Sequence, residues 1–252
     1  MDGPVGRPGA SGQVSREPAR QPIGPHVVPM TLYHCMSARS FRPLWMLEEL
    51  GLAYDLRMLP FPPRSKALQY LEINPLGTIP TFLDGPLRMT ESAAICHFLA
   101  ARHSPRQMNV ESDEPEFGAY LNFLHFGEAT LTFPQTLVLR YSRFEAPEHR
   151  QPQTVADYTR WFLSRLRALD THLQSNEFVC AGRFTAADVS IGYALLLAQH
   201  IGLEASFKPK VRAYWSRLQL RKAFLRAMAA QDRAALEQGV PRTHVAMAMG
   251  PF

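Results

Sequence analysis

Residues 74–92 have the sequence Asn-Pro-Leu-Gly-Thr-Ile-Pro-Thr-Phe-Leu-Asp-Gly-Pro-Leu-Arg-Met-Thr-Glu-Ser, which combines a turn, a strand start, a hairpin signal and a helix start. Ile79-Pro80 stands where a strand begins, a position that tolerates proline, and an X-Pro bond takes the cis form at modest cost. Asp84-Gly85 is a strong signal for a two-residue β-hairpin. Glu91-Ser92 then precedes an apolar helical run, so helix N–H groups meet an acidic side chain and a hydroxyl. These features predict a site for a small extended molecule with a carboxylate at one end.

The residues before this stretch alternate between strand and helix patterns. A strand is predicted from Met30 to Cys35, and a helix follows with Pro43 in its first turn and Gly51 just past its end. A second strand is predicted from Ala53 to Leu59, because apolar side chains alternate there. Residues 74–92 add two more strands and the start of a helix. The sequence therefore predicts an α/β domain over residues 30–104.

From Glu114 onward the periodicity is helical only, which predicts an all-helical domain over residues 112–234. Pro134 is expected to interrupt the first of these helices. Thr185 and Asp188 have the spacing of a capping box, so they are expected to begin a core helix. Residues 1–29 are rich in Gly, Pro and Arg and are expected to form a disordered tail. Residues 235–252 are expected to form a loose tail.

Composition excludes several classes of function. The net charge of +5 is spread along the chain, and no apolar run approaches the ~20 residues of a membrane helix, so neither nucleic acid nor membrane is an expected partner. The three cysteines, Cys35, Cys96 and Cys180, are odd in number and widely spaced. A disulfide framework or a zinc site is therefore not expected, and no metal ligand set is visible. A reducing, cytoplasmic location is the expectation.

Three motifs together resemble the cytosolic glutathione S-transferase family. They are Asn74-Pro75-x-Gly77-x-Ile79-Pro80, Glu91-Ser92-x-Ala94-Ile95 and Gly182-x-Phe184-Thr185-x-Ala187-Asp188, in the order and spacing of that family. The resemblance implies a thioredoxin-like N-terminal domain followed by an all-helical C-terminal domain. It also implies that glutathione is the co-substrate and that the protein is a homodimer.

The resemblance assigns the glutathione site to four residues. Pro80 would be cis and would turn the N–H and C=O of Ile79 toward the cysteinyl part of glutathione, in β-like pairing. Glu91 would accept from the γ-glutamyl amine, while Ser92 and the helix N-terminus would donate to the γ-glutamyl carboxylate. A plain N-cap is compatible with this role, since the same geometry serves both.

Catalysis in this family requires a group that stabilises the glutathione thiolate, because a free thiol with a pKa of ~8.5 is mostly protonated at neutral pH. Ser37 falls where the serine of the zeta-like classes lies, which suggests a bacterial-type, serine-like site, and Ser40 is the alternative donor. Arg39 occupies the position of the beta-class cysteine and could add positive potential there or face solvent. Tyr33 lies one residue too early for a tyrosine-type site. Cys35, on a strand, is expected to be buried and inert.

The aromatic helix that begins the second domain is the candidate for the electrophile pocket. Tyr120, Phe123, Leu124 and Gly127 could line it, although core and dimer packing is the competing interpretation. Glu128, on the same helix, is expected to be solvated or to form a salt bridge.

The predicted activity is conjugation of the glutathione thiol to a small apolar electrophile, as in detoxification. Two alternatives remain open. The same thiolate could reduce peroxides, isomerise or dehalogenate a substrate, or the chain could be a non-catalytic regulatory protein of the same fold.

Overall fold

The computed structural model describes residues 1, 3, 30–104 and 106–247. The predicted tail over residues 1–29 lies outside the described residues apart from positions 1 and 3. In the part that the structure describes, no helix is long and apolar enough to cross a membrane.

The first domain is a four-stranded mixed sheet with helices. The strands are β1 (Met30–His34), β2 (Tyr54–Met58), β3 (Thr81–Asp84) and β4 (Leu87–Met89), in the order β2-β1-β3-β4. β1 and β2 are parallel, whereas the β1–β3 and β3–β4 pairs are antiparallel. The helices are α1 (Phe41–Leu50), α2 (Pro63–Lys66), α3 (Tyr70–Ile73) and α4 (Ser92–His103). This is the predicted thioredoxin-like arrangement, with a helix starting at Ser92. The hairpin turns at Gly85-Pro86, one residue later than predicted, because Asp84 pairs with Leu87 as the last residue of β3.

The second domain is helical. Its α-helices are α5 (Phe117–His125), α6 (Phe133–Leu139), α7 (Pro152–His172), α8 (Ala186–His200), α9 (Pro209–Gln219) and α10 (Lys222–Glu237). A π-helical segment, Phe126–Thr132, joins α5 to α6, and a second one, Arg140–Phe144, follows α6 directly. Pro134 was expected to break this helix, but it lies in the first turn of α6 directly after a π-helical segment. A π-helical turn perturbs the regular hydrogen-bond ladder, so the missing N–H of proline is accommodated there.

The predicted capping box begins α8. Thr185 Oγ1 accepts from Ala187 N at 3.3 Å, and Asp188 Oδ2 accepts from Thr185 N at 2.8 Å. Asp188 is fully buried and also accepts from Val179 N and from the Tyr214 hydroxyl. The carboxylate therefore fixes the start of the central helix of this domain.

One hydrophobic core runs through both domains, and α1 lies at the boundary between them. The Trp45 side chain is fully buried and packs edge-on against Phe224 of α10, with ring centroids 5.0 Å apart. A Cβ on Gly192 of α8 would lie 2.6 Å from the Trp45 ring, so only glycine permits this approach. The N-terminus of α1, where the candidate thiol turn lies, is thereby held by the second domain.

The C-terminal residues differ from the predicted loose tail. α10 continues to Glu237. The Gln238 side chain accepts from Met58 N at 2.9 Å and donates to Leu56 O at 2.7 Å. These two hydrogen bonds pair backbone groups on the free edge of β2. Val245–Met247 forms a short 3₁₀-helix in which Val245 and Ala246 are buried. The chain stays ordered here because an edge strand and apolar surface remain to be covered. Residues 248–252 lie outside the described residues.

Candidate active site between the two domains

The loop before β3 lines a cavity with Gly77, Thr78 and Ile79. The Ile79–Pro80 peptide bond is cis, as predicted. The Thr78 carbonyl accepts from Asn74 Nδ2 at 2.9 Å and from the Tyr70 hydroxyl at 2.7 Å, and these bonds hold the loop in shape. Among the described residues, no hydrogen bond occupies the N–H or C=O of Ile79. The loop therefore offers an unpaired donor and acceptor that can bind an extended backbone.

Gly77 is required by the geometry of this loop. Its φ of +60° is in the left-handed region, and a Cβ there would lie 2.6 Å from Arg64 Cβ on α2. Both the backbone angle and the close approach therefore exclude other side chains without a shift of the loop.

The cavity has a volume of about 350 Å³ and lies between the domains. The first domain lines it with the turn over residues 37–40, which we call the thiol turn, with the loop before Pro80, and with the segment around the Phe61–Pro62 bond, which is also cis. The second domain lines it with α6, α8 and the adjacent π-helical segments. The lining residues are Ala38, Arg39, Phe61, Pro62, Pro63, Arg64, Gly77, Thr78, Ile79, Thr132, Thr136, Leu139, Arg140, Phe144, Glu145, Tyr193, Leu197 and Val245. The volume suits a small molecule.

Ser37 occupies the predicted turn, but its hydroxyl is turned away from the cavity. The residue has a φ of +52° and is 1% exposed. Gln231 of α10 accepts from Ser37 N at 2.9 Å and donates to Ser37 Oγ at 3.2 Å, and His244 Nδ1 lies 2.7 Å from the same oxygen. Long-range partners thus take up the hydroxyl that was predicted to contact the thiol.

The alternative donor, Ser40, is also buried. Its Oγ accepts from Cys35 N at 3.4 Å, across the turn that leads into α1. The residues of this turn that line the cavity are Ala38 and Arg39. The turn of the serine prediction therefore lies at the cavity, while both serine hydroxyls are turned into the protein.

Arg39 is the charged group of the turn that faces the cavity. Its side chain is 35% exposed. Nε donates to Glu128 at 2.6 Å, and Nη2 donates to Thr136 Oγ1 at 2.9 Å. Both partners belong to the second domain, so the guanidinium is fixed at the domain boundary rather than facing solvent.

A second arginine, Arg42, lies behind it and is fully buried. Arg42 donates to Glu128, to Ser92 Oγ at 3.1 Å and to Thr132 Oγ1 at 2.7 Å. Burial alone would raise the pKa of Glu128, but Arg42 and Arg39 hold it below its ordinary value. Two cations thus share one carboxylate, which leaves net positive charge beside the turn.

The predicted γ-glutamyl site lies at the start of α4. Glu91 is the N-cap residue, is exposed, and makes no side-chain cap bond. Ser92 is 3% exposed, and its Oγ accepts from Arg42, so the hydroxyl proton remains available for another acceptor. Burial of Arg42 behind Ser92 adds positive charge to the helix N-terminus.

The four residues predicted for the electrophile pocket belong to the core instead. Tyr120 and Leu124 are buried, Phe123 packs against the His172 ring at 4.7 Å, and none of the three is among the described residues that line the cavity. A Cβ on Gly127 would lie 2.4 Å from Ser190 Oγ, so Gly127 serves the close packing of α8. The competing interpretation of core packing is the one the structure supports.

None of the three cysteines is among the described residues that line the cavity. All three are free and buried, and burial raises the pKa of the Cys35, Cys96 and Cys180 thiols. Within residues 30–104 and 106–247, no group of three or more His, Cys, Asp or Glu side chains is placed to hold a metal.

Sequence reasoning missed Arg42, Gln231 and His244. Arg42 lies in the apolar stretch of α1, where a charged residue is a signal of a buried ion pair. Gln231 and His244 carry no local signal, because they are 194 and 207 residues away from Ser37.

Comparison with known proteins gives the class of the molecule. Residues 36–102 match the family model described as "Glutathione S-transferase, N-terminal domain". The chain is 31% identical over 180 residues to glutathione S-transferase 3 of Schizosaccharomyces pombe, covering 68% of this chain and 74% of that protein. It is 28% identical over 190 residues to glutathione S-transferase A of Pleuronectes platessa, covering 73% and 84% of the two chains.

A solved structure shows the same fold. The glutathione transferase URE2P6 of Phanerochaete chrysosporium, crystallised with oxidised glutathione, superposes with a TM-score of 0.72 at 25% identity, covering 82% of this chain and 97% of that chain. The fold, the domain order and these relatives agree. The chain belongs to the glutathione S-transferase family of enzymes.

Proposed function

We propose that this enzyme conjugates the thiol of glutathione to a small apolar electrophile held in the 350 Å³ cavity. The observation that carries the proposal is that Ile79 and Arg39 line the same cavity. Ile79 offers an unpaired backbone donor and acceptor, and Arg39 offers positive charge. A cysteinyl residue paired with Ile79 would place its sulfur near the thiol turn.

Glutathione would bind along the wall formed by the first domain. The cysteinyl N–H and C=O pair with the C=O and N–H of Ile79, as in β-strand addition. The γ-glutamyl carboxylate accepts from the Ser92 hydroxyl and from the N–H groups of α4, and Glu91 accepts from the amine. Because Arg42 donates to Ser92, the hydroxyl proton points away from the arginine and toward an incoming carboxylate.

The thiolate would be stabilised by Arg39 and by the N-terminus of α1. An opposite charge within a few ångströms favours the ionised thiol, and a shift of one pKa unit needs only ~1.4 kcal/mol. Ser37 and Ser40 contribute less in this arrangement, since other protein groups already occupy their hydroxyls. Glu128 holds Arg39 in place without cancelling the charge, because Arg42 shares the same carboxylate.

The electrophile would lie against the apolar part of the cavity. Phe61 packs against Phe144 with ring centroids 5.6 Å apart, and Leu139 and Leu197 continue this wall in the second domain. Bringing the thiolate and the electrophile together in one cavity supplies part of the rate. We further propose a homodimer, a cytoplasmic location and a role in detoxification, in keeping with the family.

The test is titration of glutathione into the protein, followed by the absorbance of the bound thiolate as a function of pH. Arg39→Met should raise the pKa of the bound thiol by about one unit, a tenfold loss of thiolate at pH below that pKa. Arg140→Met is the matched control, since Arg140 lines the same cavity but pairs with Glu145 at the surface. It should leave the thiol pKa within about 0.3 units.

Three outcomes would count against parts of the proposal. No heat of glutathione binding at millimolar concentration would overturn the proposed conjugation and favour the regulatory alternative. A pKa raised by Ser37→Ala but not by Arg39→Met would return the thiol contact to the serine. Unchanged glutathione affinity in Glu91→Ala would overturn the γ-glutamyl assignment. A panel of peroxides, isomerisable substrates and haloalkanes then separates conjugation from the related activities.

A further inference from the structure

The chain after α10 returns to the cavity instead of leaving the protein. Gly239, with a φ of +65°, turns the backbone at the end of α10, and Val240 N donates to Ala235 O at 2.9 Å. We call residues 239–247 the C-terminal segment. After the turn, the segment crosses from the last helix of the second domain to the end of β1 in the first.

Both domains hold the end of this segment. Val245 N donates to Met36 O at 3.0 Å, and His244 Nδ1 lies 2.7 Å from Ser37 Oγ. The His244 ring stacks on His200 of α8 with centroids 4.3 Å apart. The Ala246 carbonyl accepts from the Arg143 guanidinium in the second domain. The segment is therefore fixed at successive residues, by backbone groups and by one imidazole.

These contacts place the Val245 side chain in the cavity wall beside the thiol turn. Val245 is 7% exposed and packs in one apolar cluster with Cys35 and Ala38, to which Ile79 and Phe61 also contribute. Ile79 is the residue proposed to pair with the cysteinyl backbone, and Ala38 belongs to the turn that faces the sulfur. An isopropyl group from the C-terminal segment therefore lies in the cavity wall beside the turn that is proposed to face the thiol.

The anchors of the segment do not depend on the Val245 side chain. The bonds near it use the N–H of Val245, the carbonyl of Ala246 and the imidazole of His244. The size of the side chain at position 245 can therefore change while the segment stays in place. A wall residue with this property sets the width of the cavity next to the reacting sulfur.

We propose that Val245 is a specificity-determining residue for the electrophile, and that His244 is the positioning residue that holds it at the cavity through Ser37. This inference rests on the proposed function. It assigns the Ser37 hydroxyl a structural purpose, because the Gln231 amide donates to Ser37 Oγ and leaves the hydroxyl proton for His244. Selectivity then depends on the C-terminal segment as well as on the helices of the second domain.

The test compares kcat/KM for a series of n-alkyl iodides, from methyl to hexyl, in the full-length enzyme. In each reaction the thiolate sulfur forms a C–S bond as the C–I bond breaks, and iodide leaves. Val245→Ala should raise the ratio of hexyl to methyl kcat/KM by about tenfold, and Val245→Phe should lower it by about as much. The KM for glutathione should stay within about twofold, because the backbone of Ile79 is unchanged.

Val240→Ala is the matched control. It makes the same chemical change in the same segment, but Val240 packs on the main core and is not among the residues that line the cavity. Its hexyl-to-methyl ratio should equal that of the unaltered enzyme. Thermal melts of all variants show that the comparison is made between folded proteins.

His244 is tested by the same ratio and by rescue. His244→Ala should raise the ratio in the direction of Val245→Ala, since the end of the segment loses its bond to Ser37. His244→Asn should restore it, because the Asn side-chain oxygen can accept from Ser37 at the position of Nδ1. A merely structural role would lower stability in both variants without moving the ratio.

The outcomes separate the two proposals. If the unaltered enzyme neither binds glutathione nor consumes any alkyl iodide, the proposed function is overturned and this inference with it. If the unaltered enzyme is active but Val245→Ala and Val245→Phe keep its ratio, the inference alone is overturned. A ratio that moves equally in Val240→Ala would also overturn it, since the effect would then come from general loosening of the segment.

Discussion

The two walls of the cavity are built in different ways. The loop that carries Ile79 is held by contacts that are close in sequence, since the Tyr70 hydroxyl reaches Thr78 and Thr81 across 8 and 11 residues. The opposite wall is held by contacts that are far apart, since Arg39 meets Glu128 across 89 residues and Ser37 meets His244 across 207. The first wall can form within its own domain, whereas the second exists only when the domains are docked.

In the proposed function, this difference separates pairing with the cysteinyl backbone of glutathione from activation of its thiol and selection of the electrophile. In the proposed function, the local wall supplies the backbone groups of Ile79 that pair with glutathione. The long-range wall contains α6, α8, the ion network of Arg39, Arg42 and Glu128, and the C-terminal segment. These parts can change without disturbing the loop that carries Ile79. Variants that damage one wall and spare the other test this division.

The largest expected effect is loss of the ion network that docks the domains. Glu128→Ala removes the carboxylate that Arg42 and Arg39 share, and it leaves the fully buried Arg42 without a counter-ion. We expect the free energy of unfolding to fall by about 3 kcal/mol, because an uncompensated buried charge is costly. Urea-induced unfolding followed by tryptophan fluorescence measures the loss, since Trp45 lies in the core between the domains.

Asp157→Ala is the control for this prediction. Asp157 pairs with Arg160 at the surface of α7, where both side chains are largely exposed. Removing an exposed pair should change stability by no more than about 1 kcal/mol. Equal losses in Glu128→Ala and Asp157→Ala would show that the network does not dock the domains.

The sequence predicted the elements whose signals are local. The hairpin beside Asp84-Gly85, the helix start at Ser92 and the capping box at Thr185 each depend on residues within a few positions, whereas the cis bond before Pro80 was implied by the family resemblance. Turn chemistry and capping act over that distance, so the pattern alone identifies them. The two-domain fold followed from their order.

The rest of the site could not be predicted because its geometry is set by distant partners. The aromatic and apolar pattern around Tyr120 and Leu124 indicated that these side chains would be buried. It did not indicate whether they would pack against α8 or against a bound substrate. The structure shows the core packing most directly at Gly127, where a Cβ would lie 2.4 Å from Ser190 Oγ. The direction of the Ser37 hydroxyl depends on Gln231 and His244, which no pattern near residue 37 reveals.

The local wall is tested by Gly77→Ala. A side chain at a φ of +60°, with its Cβ 2.6 Å from Arg64 Cβ, should shift the loop and lower the free energy of unfolding by about 2 kcal/mol. Because Ile79 moves with the loop, glutathione affinity should fall by at least about tenfold in a calorimetric titration.

Gly85→Ala is the matched control for the loop. Gly85 has a similar φ of +56°, but a Cβ there would meet no atom within 4 Å. In Gly85→Ala the free energy of unfolding should fall by about 1 kcal/mol because of the backbone angle alone, and the glutathione affinity should be unchanged. If both variants lost affinity equally, the loop would not be the rigid wall described above.

The smallest expected effect is a pH dependence of the free energy of unfolding, which comes from a buried histidine near the long-range wall. His34, at the end of β1, is fully buried and bonds to Gln231 Oε1 at 2.9 Å. Burial lowers its pKa from 6.5 to about 4, although the bond to Gln231 opposes the shift. Below pH 6.5 His34 is therefore protonated in the unfolded state but stays neutral in the folded state. The contribution of His34 to the free energy of unfolding is therefore fully present above pH 6.5 and is lost as the pH falls toward 4. At pH 5.5 the loss is about 1 kcal/mol.

Unfolding in urea at pH 7.5 and 5.5 measures this dependence, and His34→Gln isolates the contribution of His34. The glutamine amide can still donate to Gln231, so the variant should keep its fold while losing about 1 kcal/mol of the pH effect. What remains of the pH effect includes His200, whose pKa burial also lowers to about 4. The exposed His149, changed to Gln, is the control and should leave the pH effect intact. If His34→Gln and His149→Gln behaved alike, His34 would be protonated in the folded protein, and its bond to Gln231 would not anchor β1 to α10 in the neutral form described here.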